Sequence, residues 1–167
     1  NQACNHLSQQ AWEAKTFGRY ALHKLAYHDT RAHFPALSSQ VVVRCIAKVS
    51  DAYKQDRKHK RCFRAQGAIA YDPRILSWKS EGEQEVSIWT VGGRQRMSYG
   101  CGERQRALLA QRGGQADLVY RDGAFYLHQS CQVETPDAEV PEQWLGVDLV
   151  GNEGSGVPFG GEGLSVD

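Results

Sequence analysis

Apolar residues in the first 55 positions recur at three- and four-residue steps, the period of helices that bury one face. Gln2 to Lys15 carries no Pro or Gly and aligns Leu7, Ala11 and Ala14 on one stripe, so a helix is expected there, interrupted by Gly18. Tyr20, Leu22, Leu25 and Ala26 mark a second helix, which must end before Pro35 because the residue preceding a proline avoids helical dihedrals. Ser38 or Ser39 supplies an N-cap for a third helix. In it Val42, Ile46, Val49 and Tyr53 share one buried face, and Arg44, Lys48, Asp51 and Lys54 fall largely on the others. Three short amphipathic helices of this kind make a small bundle.

The pattern changes near Phe63. Ala68–Tyr71 and Ile75–Trp78 are short strand-like runs on either side of the turn pair Asp72-Pro73. Glu85–Val91 alternates, and Gly92-Gly93 is a hairpin signal leading into Arg94–Tyr99. Glu103–Gln111 suits one short helix. Asp117–Arg121 and Ala124–His128 flank Asp122-Gly123, the strongest hairpin signal in the chain. Closely spaced strands with turn residues between them favour an antiparallel barrel or a strongly bent sheet. The expected class is therefore α+β, a helical region over 1–62 followed by a β-barrel over 63–134. Residues 135–143 read as an acidic linker holding Pro136 and Pro141, 144–150 as a single apolar strand containing Asp148, and 151–167 as a glycine-rich disordered tail.

Composition narrows the function. The 167 residues are 41% hydrophobic and 23% charged, with a mean hydropathy of −0.56, and no apolar run approaches the roughly 18 residues of a membrane span. No basic-then-apolar leader opens the sequence, and five singly scattered cysteines without a C-x-x-C pair read as reduced thiols, so a cytoplasmic protein is expected. His23, His28 and His33 are spaced by five and do not stack on one helical face.

The net charge of +1 conceals a strong polarity. Residues 1–65 hold twelve Lys and Arg against four acids, whereas residues 134–167 hold eight acids and no base. Such asymmetry points to a polyanion-binding part joined to something different. The densest basic stretch runs from Lys54 to Arg64 and includes Arg57, Lys58, Lys60 and Arg61. It can neutralise several phosphates, with counterion release driving affinity, while Phe63, Tyr53 and Tyr71 are candidates to stack on unpaired bases. Arg94 and Arg96 alternate on one strand face, and Arg104 and Arg106 follow in the next helix. Asp148, a carboxylate inside an apolar strand, is a candidate metal ligand of the kind used by two-metal nucleases. No P-loop, H-E-x-x-H or G-x-S-x-G motif occurs.

Taken in order, these pieces resemble the N-terminal half of the OrfB/TnpB family, transposon-associated RNA-guided DNA endonucleases related to the type V CRISPR effectors. The likeness rests on Ala14-Lys15-Thr16-Phe17, Leu22–Tyr27, Ile46–Tyr53, Gly67–Asp72, Gly102–Arg106, Leu118–Gly123 and Leu145-Gly146-Val147-Asp148-Leu149. It implies a helical recognition region, a wedge-like barrel and the first strand of an RNase H-like RuvC domain. By that resemblance Asp148 is the first catalytic, Mg²⁺-binding aspartate, and the basic residues contact guide RNA and target DNA through their backbones. The family's first wedge strand, its further nuclease carboxylates and its zinc ribbon have no counterpart in these 167 residues. The expectation is a fragment that keeps the binding regions, holds no Mg²⁺ and is inactive alone. The competing expectation is a non-catalytic nucleic-acid-binding module or an inactive transposon remnant.

Overall fold

The computed structural model describes residues 1–79 and 84–134, which belong to one compact unit, Asn1–Glu134. The expected linker, the strand carrying Asp148 and the glycine-rich tail lie outside the described residues.

Three helices come first: α1 (Gln2–Glu13), α2 (Arg19–His33) and α3 (Ser39–Gln55). Ser38 caps α3, its side chain accepting from the Val41 amide at 3.3 Å. Val42, Ile46, Val49 and Tyr53 are all buried and meet Cys4, Leu7 and Ala11 of α1 and Leu22 and Ala26 of α2 in one core. Burial of each of Leu7, Leu22, Val42, Ile46 and Val49 contributes about 1.5–3 kcal/mol.

Two expectations about the helices need correction. Helix α1 stops at Glu13, not Lys15, because Lys15 adopts φ 50° and closes a Schellman turn, with Thr16 N donating to Ala11 O at 2.9 Å and Lys15 N to Trp12 O at 3.4 Å. Ala14 is thereby outside the stripe and exposed. On α2, Tyr20 and Leu25 are exposed, since the stripe facing the core is Leu22, Ala26 and Thr30 at four-residue steps.

After an extended stretch come β1 (Ile69–Tyr71), β2 (Leu76–Trp78), β3 (Glu85–Thr90), β4 (Gly93–Ser98), α4 (Glu103–Leu109), β5 (Arg112–Arg121) and β6 (Ala124–Cys131). They form two antiparallel three-stranded sheets, ordered β1-β5-β6 and β2-β3-β4. The chain turns at Asp72-Pro73 from one sheet into the other, the Asp72 carbonyl accepting from Ile75 N and Leu76 N. The two sheets share a core of Tyr71, Ile75, Leu76, Val86, Ile88 and Ala116. The strand spacing thus resolves, at the level the described residues show, into two small sheets following a helical layer.

The β3–β4 and β5–β6 hairpins close on two-residue turns. Asp122 and Gly123 have φ of 52° and 83°, the paired left-handed conformation that a type I′ turn demands. In the β3–β4 hairpin the turn is Val91-Gly92, one residue earlier than Gly92-Gly93, since Thr90 pairs with Gly93. Thr90 Oγ1 fixes that register by accepting from Gly92 N at 3.1 Å and donating to Gly93 O at 2.9 Å.

Candidate nucleic-acid interface

The basic segment leaves α3 as an extended strap laid along α1. Asp56 sets the bend: its carboxylate accepts from Lys58 N at 2.7 Å, His59 Nδ1 at 3.0 Å and Arg61 Nη1 at 3.2 Å. These partners, the Lys58 amide first and His59 next, hold the Asp56 carboxyl below its ordinary range.

Beyond the bend, polar side chains of α1 pin the strap's backbone. Asn5 donates to Phe63 O at 2.9 Å and accepts from Phe63 N at 2.7 Å, a side-chain imitation of a strand pair. Ser8 donates to the Arg61 carbonyl, and Asn1 Nδ2 donates to Gly67 O at 2.8 Å. From the core side, the Tyr53 hydroxyl lies 2.9 Å from Ser8 Oγ and accepts from Arg61 N at 3.3 Å. A fully buried phenol is costly without partners, and here all its partners belong to the strap or its pin.

This pinning sorts the side chains. Arg61 and Phe63 turn inward and are half-buried, with Lys48 Nζ 5.4 Å from the Phe63 ring centroid. Arg57, Lys58, Lys60 and Arg64 are exposed. Lys60 reaches across to Gln9 Oε1 at 2.7 Å, and Lys54 pairs with Asp51 at 2.7 Å on the last turn of α3. Arg57 and Lys58 lie in the bend, and Lys60 and Arg64 flank the two pinned residues, Arg61 and Phe63, so four exposed cations follow a backbone anchored at Lys58, Arg61 and Phe63.

The expected stacking aromatics are not available there. Tyr53 is fully buried and Tyr71 nearly so, each being a core residue of its layer, and Tyr71 spends its hydroxyl on Trp89 O at 3.1 Å. Among the described residues the exposed aromatics are instead Tyr20 on α2 and Phe125 and Tyr126 on β6.

The arginines of the β region divide. Arg94 and Arg96 do share a face of β4, opposite Trp89 and Ser87. Arg94, however, is engaged within the fold, donating to Arg74 O at 2.9 Å and to Ser77 and Ser87 hydroxyls at 3.3 Å, with its guanidinium 5.8 Å from the Trp89 ring. Arg94, Arg96, Arg104 and Arg106 are all exposed, so the bonds of Arg94 tether a guanidinium that solvent still reaches. Among the described residues no hydrogen bond or ion pair joins these arginines to the strap. Asp148 lies outside the described residues.

Sequence reasoning named the cations and missed what holds them. The signal was present in α1, where Asn5, Ser8 and Gln9 form a polar stripe at helical spacing beside the apolar Cys4, Leu7 and Ala11. It also missed a contact between α1 and α2: His6, Asp29 and His33 bring one ligand-type atom each within 4.8 Å of one another. Asp29 and His33 are exposed, and Asp29 already accepts from His6 at 2.7 Å and from Gln10, so the group is accounted for as a surface polar contact. No protein-family model matches the chain, and no curated protein matches it.

Proposed function

We propose that the chain is the nucleic-acid-binding part of an RNA-guided DNA endonuclease of the OrfB/TnpB type, with the strap on α1 as its principal phosphate contact. The observation that supports this reading is the pinning of the strap's backbone at Arg61 and Phe63, which presents the exposed Arg57, Lys58, Lys60 and Arg64 beside it at high charge density. The whole of Asn1–Glu134 carries all twenty Lys and Arg of the chain against twelve acids, a net +8 that favours polyanions. The order of elements, helices and then antiparallel strands, is compatible with a recognition region followed by a wedge-like barrel. In this reading guide RNA and the guide–target duplex lie against the strap and against Arg96, Arg104 and Arg106, while Arg94 serves as a structural support.

Asp148 is the residue that would hold Mg²⁺ in the parent nuclease site, where the ion would activate water for phosphodiester cleavage. A two-metal centre needs further carboxylates beside Asp148, so the reading proposed here concerns binding. The alternative reading, a non-catalytic module for nucleic acids in general, rests on the same cationic row.

The test is a titration of RNA binding against salt. A log–log slope of about −3 or steeper is expected, and Lys58→Gln, Lys60→Gln and Arg64→Gln together should flatten it by roughly two units. A slope near zero in the parent chain overturns nucleic-acid binding altogether. Sequencing the RNA that co-purifies then separates the two readings: one dominant structured RNA supports a guide, and a heterogeneous mixture supports a general module.

A further inference from the structure

Between the two sheets a cavity of about 590 Å³ opens to solvent beside α4. Val86 pairs with Met97 across β3 and β4, and Leu118 pairs with Leu127 across β5 and β6, and these four side chains line it. Trp78 and Tyr99 form an aromatic corner, their rings 5.0 Å apart and nearly perpendicular, with the Trp78 indole fixed by donating to Gln129 Oε1 at 2.9 Å. Phe125 shares the β6 face of Leu127 and Gln129, yet it is 70% exposed, so one large ring stands at the mouth. From α4, Gln105, Leu108 and Leu109 complete the wall. Next to Gln105, the exposed Arg106 reaches the same rim: its Nη2 donates to the Gln84 amide oxygen at 2.6 Å, and the Gln84 amide nitrogen donates to Tyr99 O at 2.9 Å.

We propose that this cavity takes one unpaired nucleobase of a bound RNA, stacked on Phe125, with a neighbouring phosphate on Arg106. Given the nucleic-acid binding proposed above, on which this site rests, a base is then held as well as the backbone. Three features converge on such an occupant. An exposed aromatic ring above apolar walls is stabilised when a flat ring covers it, and base–aromatic stacking tolerates any sequence. The exposed Gln105 side chain offers an amide donor and acceptor to the polar edge of a base. Arg106 supplies a cation at the rim, and among the described residues no carboxylate lines the cavity, so the charge favours an anionic guest.

The combination separates a nucleotide from other apolar guests. A neutral hydrocarbon leaves Arg106 and Gln105 unused. An acyl carboxylate matches the cation, but its chain gains most from full enclosure, which a mouth with Phe125 this exposed does not give. A nucleotide carries its phosphate next to its ring. The site also supplies what the strap lacks, since the aromatics nearest the basic segment, Tyr53 and Tyr71, are buried.

Met97 is the only methionine of the chain and lines the cavity, so a carbon-13 label on its methyl group reports on this site. The labelled full chain is titrated at low salt with adenosine monophosphate, an adenylate RNA hexamer, an abasic hexamer of equal charge, and decanoate. Fluorescence anisotropy of end-labelled hexamers follows total binding in parallel. The monophosphate and the adenylate hexamer should shift the Met97 methyl resonance saturably, and the abasic hexamer should leave it in place. Phe125→Ala, at an exposed position, should weaken the monophosphate about tenfold, and Arg106→Gln about threefold. A resonance unmoved by the monophosphate and by a bound adenylate hexamer overturns the site while leaving RNA binding by the strap intact. A shift given equally by the abasic hexamer, or by decanoate without the monophosphate, also overturns it. An unmoved resonance with neither hexamer bound overturns both the site and the nucleic-acid reading. These decisive outcomes come from the unsubstituted protein, independent of how well either variant folds.

Discussion

The helical layer and the paired sheets occupy similar lengths of chain, yet they are closed in different ways. In the helices, core side chains from Leu7 to Tyr53 are buried, the Tyr53 hydroxyl is satisfied by Ser8 and Arg61, and a cavity of about 580 Å³ opens beside Cys4, Val41 and Cys45. In the sheets the shared core is smaller, a cavity of about 590 Å³ lies against Trp78, Val86, Ile88 and Leu118, and Met97, Phe125 and Tyr126 remain exposed. The cationic strap rides on the layer with the larger core. A binding surface loses less to ordering when its backbone is already fixed, so the contrast places the candidate function on the better-buried half of the unit.

The most forceful way to break this contrast is to empty each core once. Leu22→Ala should lower unfolding free energy by about 3–4 kcal/mol, since tightly packed neighbours cannot collapse into the void. Ile88→Ala should cost about 2 kcal/mol, because the adjoining space gives its surroundings room to relax. Urea denaturation of both variants decides the matter, and equal losses would remove the distinction between the layers.

A smaller effect should couple stability to binding. Tyr53→Phe keeps the ring but deletes the hydroxyl that joins core to strap, leaving Arg61 N without its acceptor. About 1–2 kcal/mol of stability should go with it. RNA affinity should fall severalfold although no charge has changed. Asn5→Ala, which frees both polar groups of Phe63, should weaken RNA binding similarly at little cost to the core. Unaltered affinity in both variants would mean that the cations act as independent point charges, with no contribution from the pinned backbone.

What was legible in the sequence follows from how local the determining physics is. The Ser38 cap, the buried face of α3 and the Asp122-Gly123 turn are set within a few residues of one another, and each is found where its pattern puts it. Tyr53 carries two signals. Its place at the end of the Val42–Ile46–Val49 stripe predicts the buried face, where it lies, while its nearness to the basic run suggests base stacking, which that burial excludes. Tyr20 and Leu25 fail as core residues because only one narrow stripe of α2 meets its neighbours, a tertiary fact that hydrophobicity alone does not carry. The pins of the strap join residues some 45 to 66 positions apart. No spacing rule reaches across such distances. The arginines split for the same reason, since only cross-strand register reveals that Arg94 is spent on Ser77, Ser87 and Arg74.

The gentlest test of the contrast uses acid. Asp29 at the α1–α2 contact, held mainly by His6 and then Gln10, and Asp56 at the strap's bend, held by the Lys58 amide and then His59, both have carboxyls depressed below the ordinary value. A depressed native pKa means that the unfolded chain binds protons more readily. The stabilisation is therefore complete above the unfolded value, near pH 3.9, and is lost as pH falls through the native ones. Both carboxylates are solvated, so the effect is small. Urea midpoints between pH 6 and pH 2.5 should fall more steeply below about pH 4 in the parent chain than in the Asp29→Asn, Asp56→Asn double variant. Parallel curves would show that neither carboxylate gains in the fold. Because both groups stand on the helical side, acid should also loosen the strap first: amide exchange at Lys58 and Phe63 should rise at a higher pH than in β5 and β6.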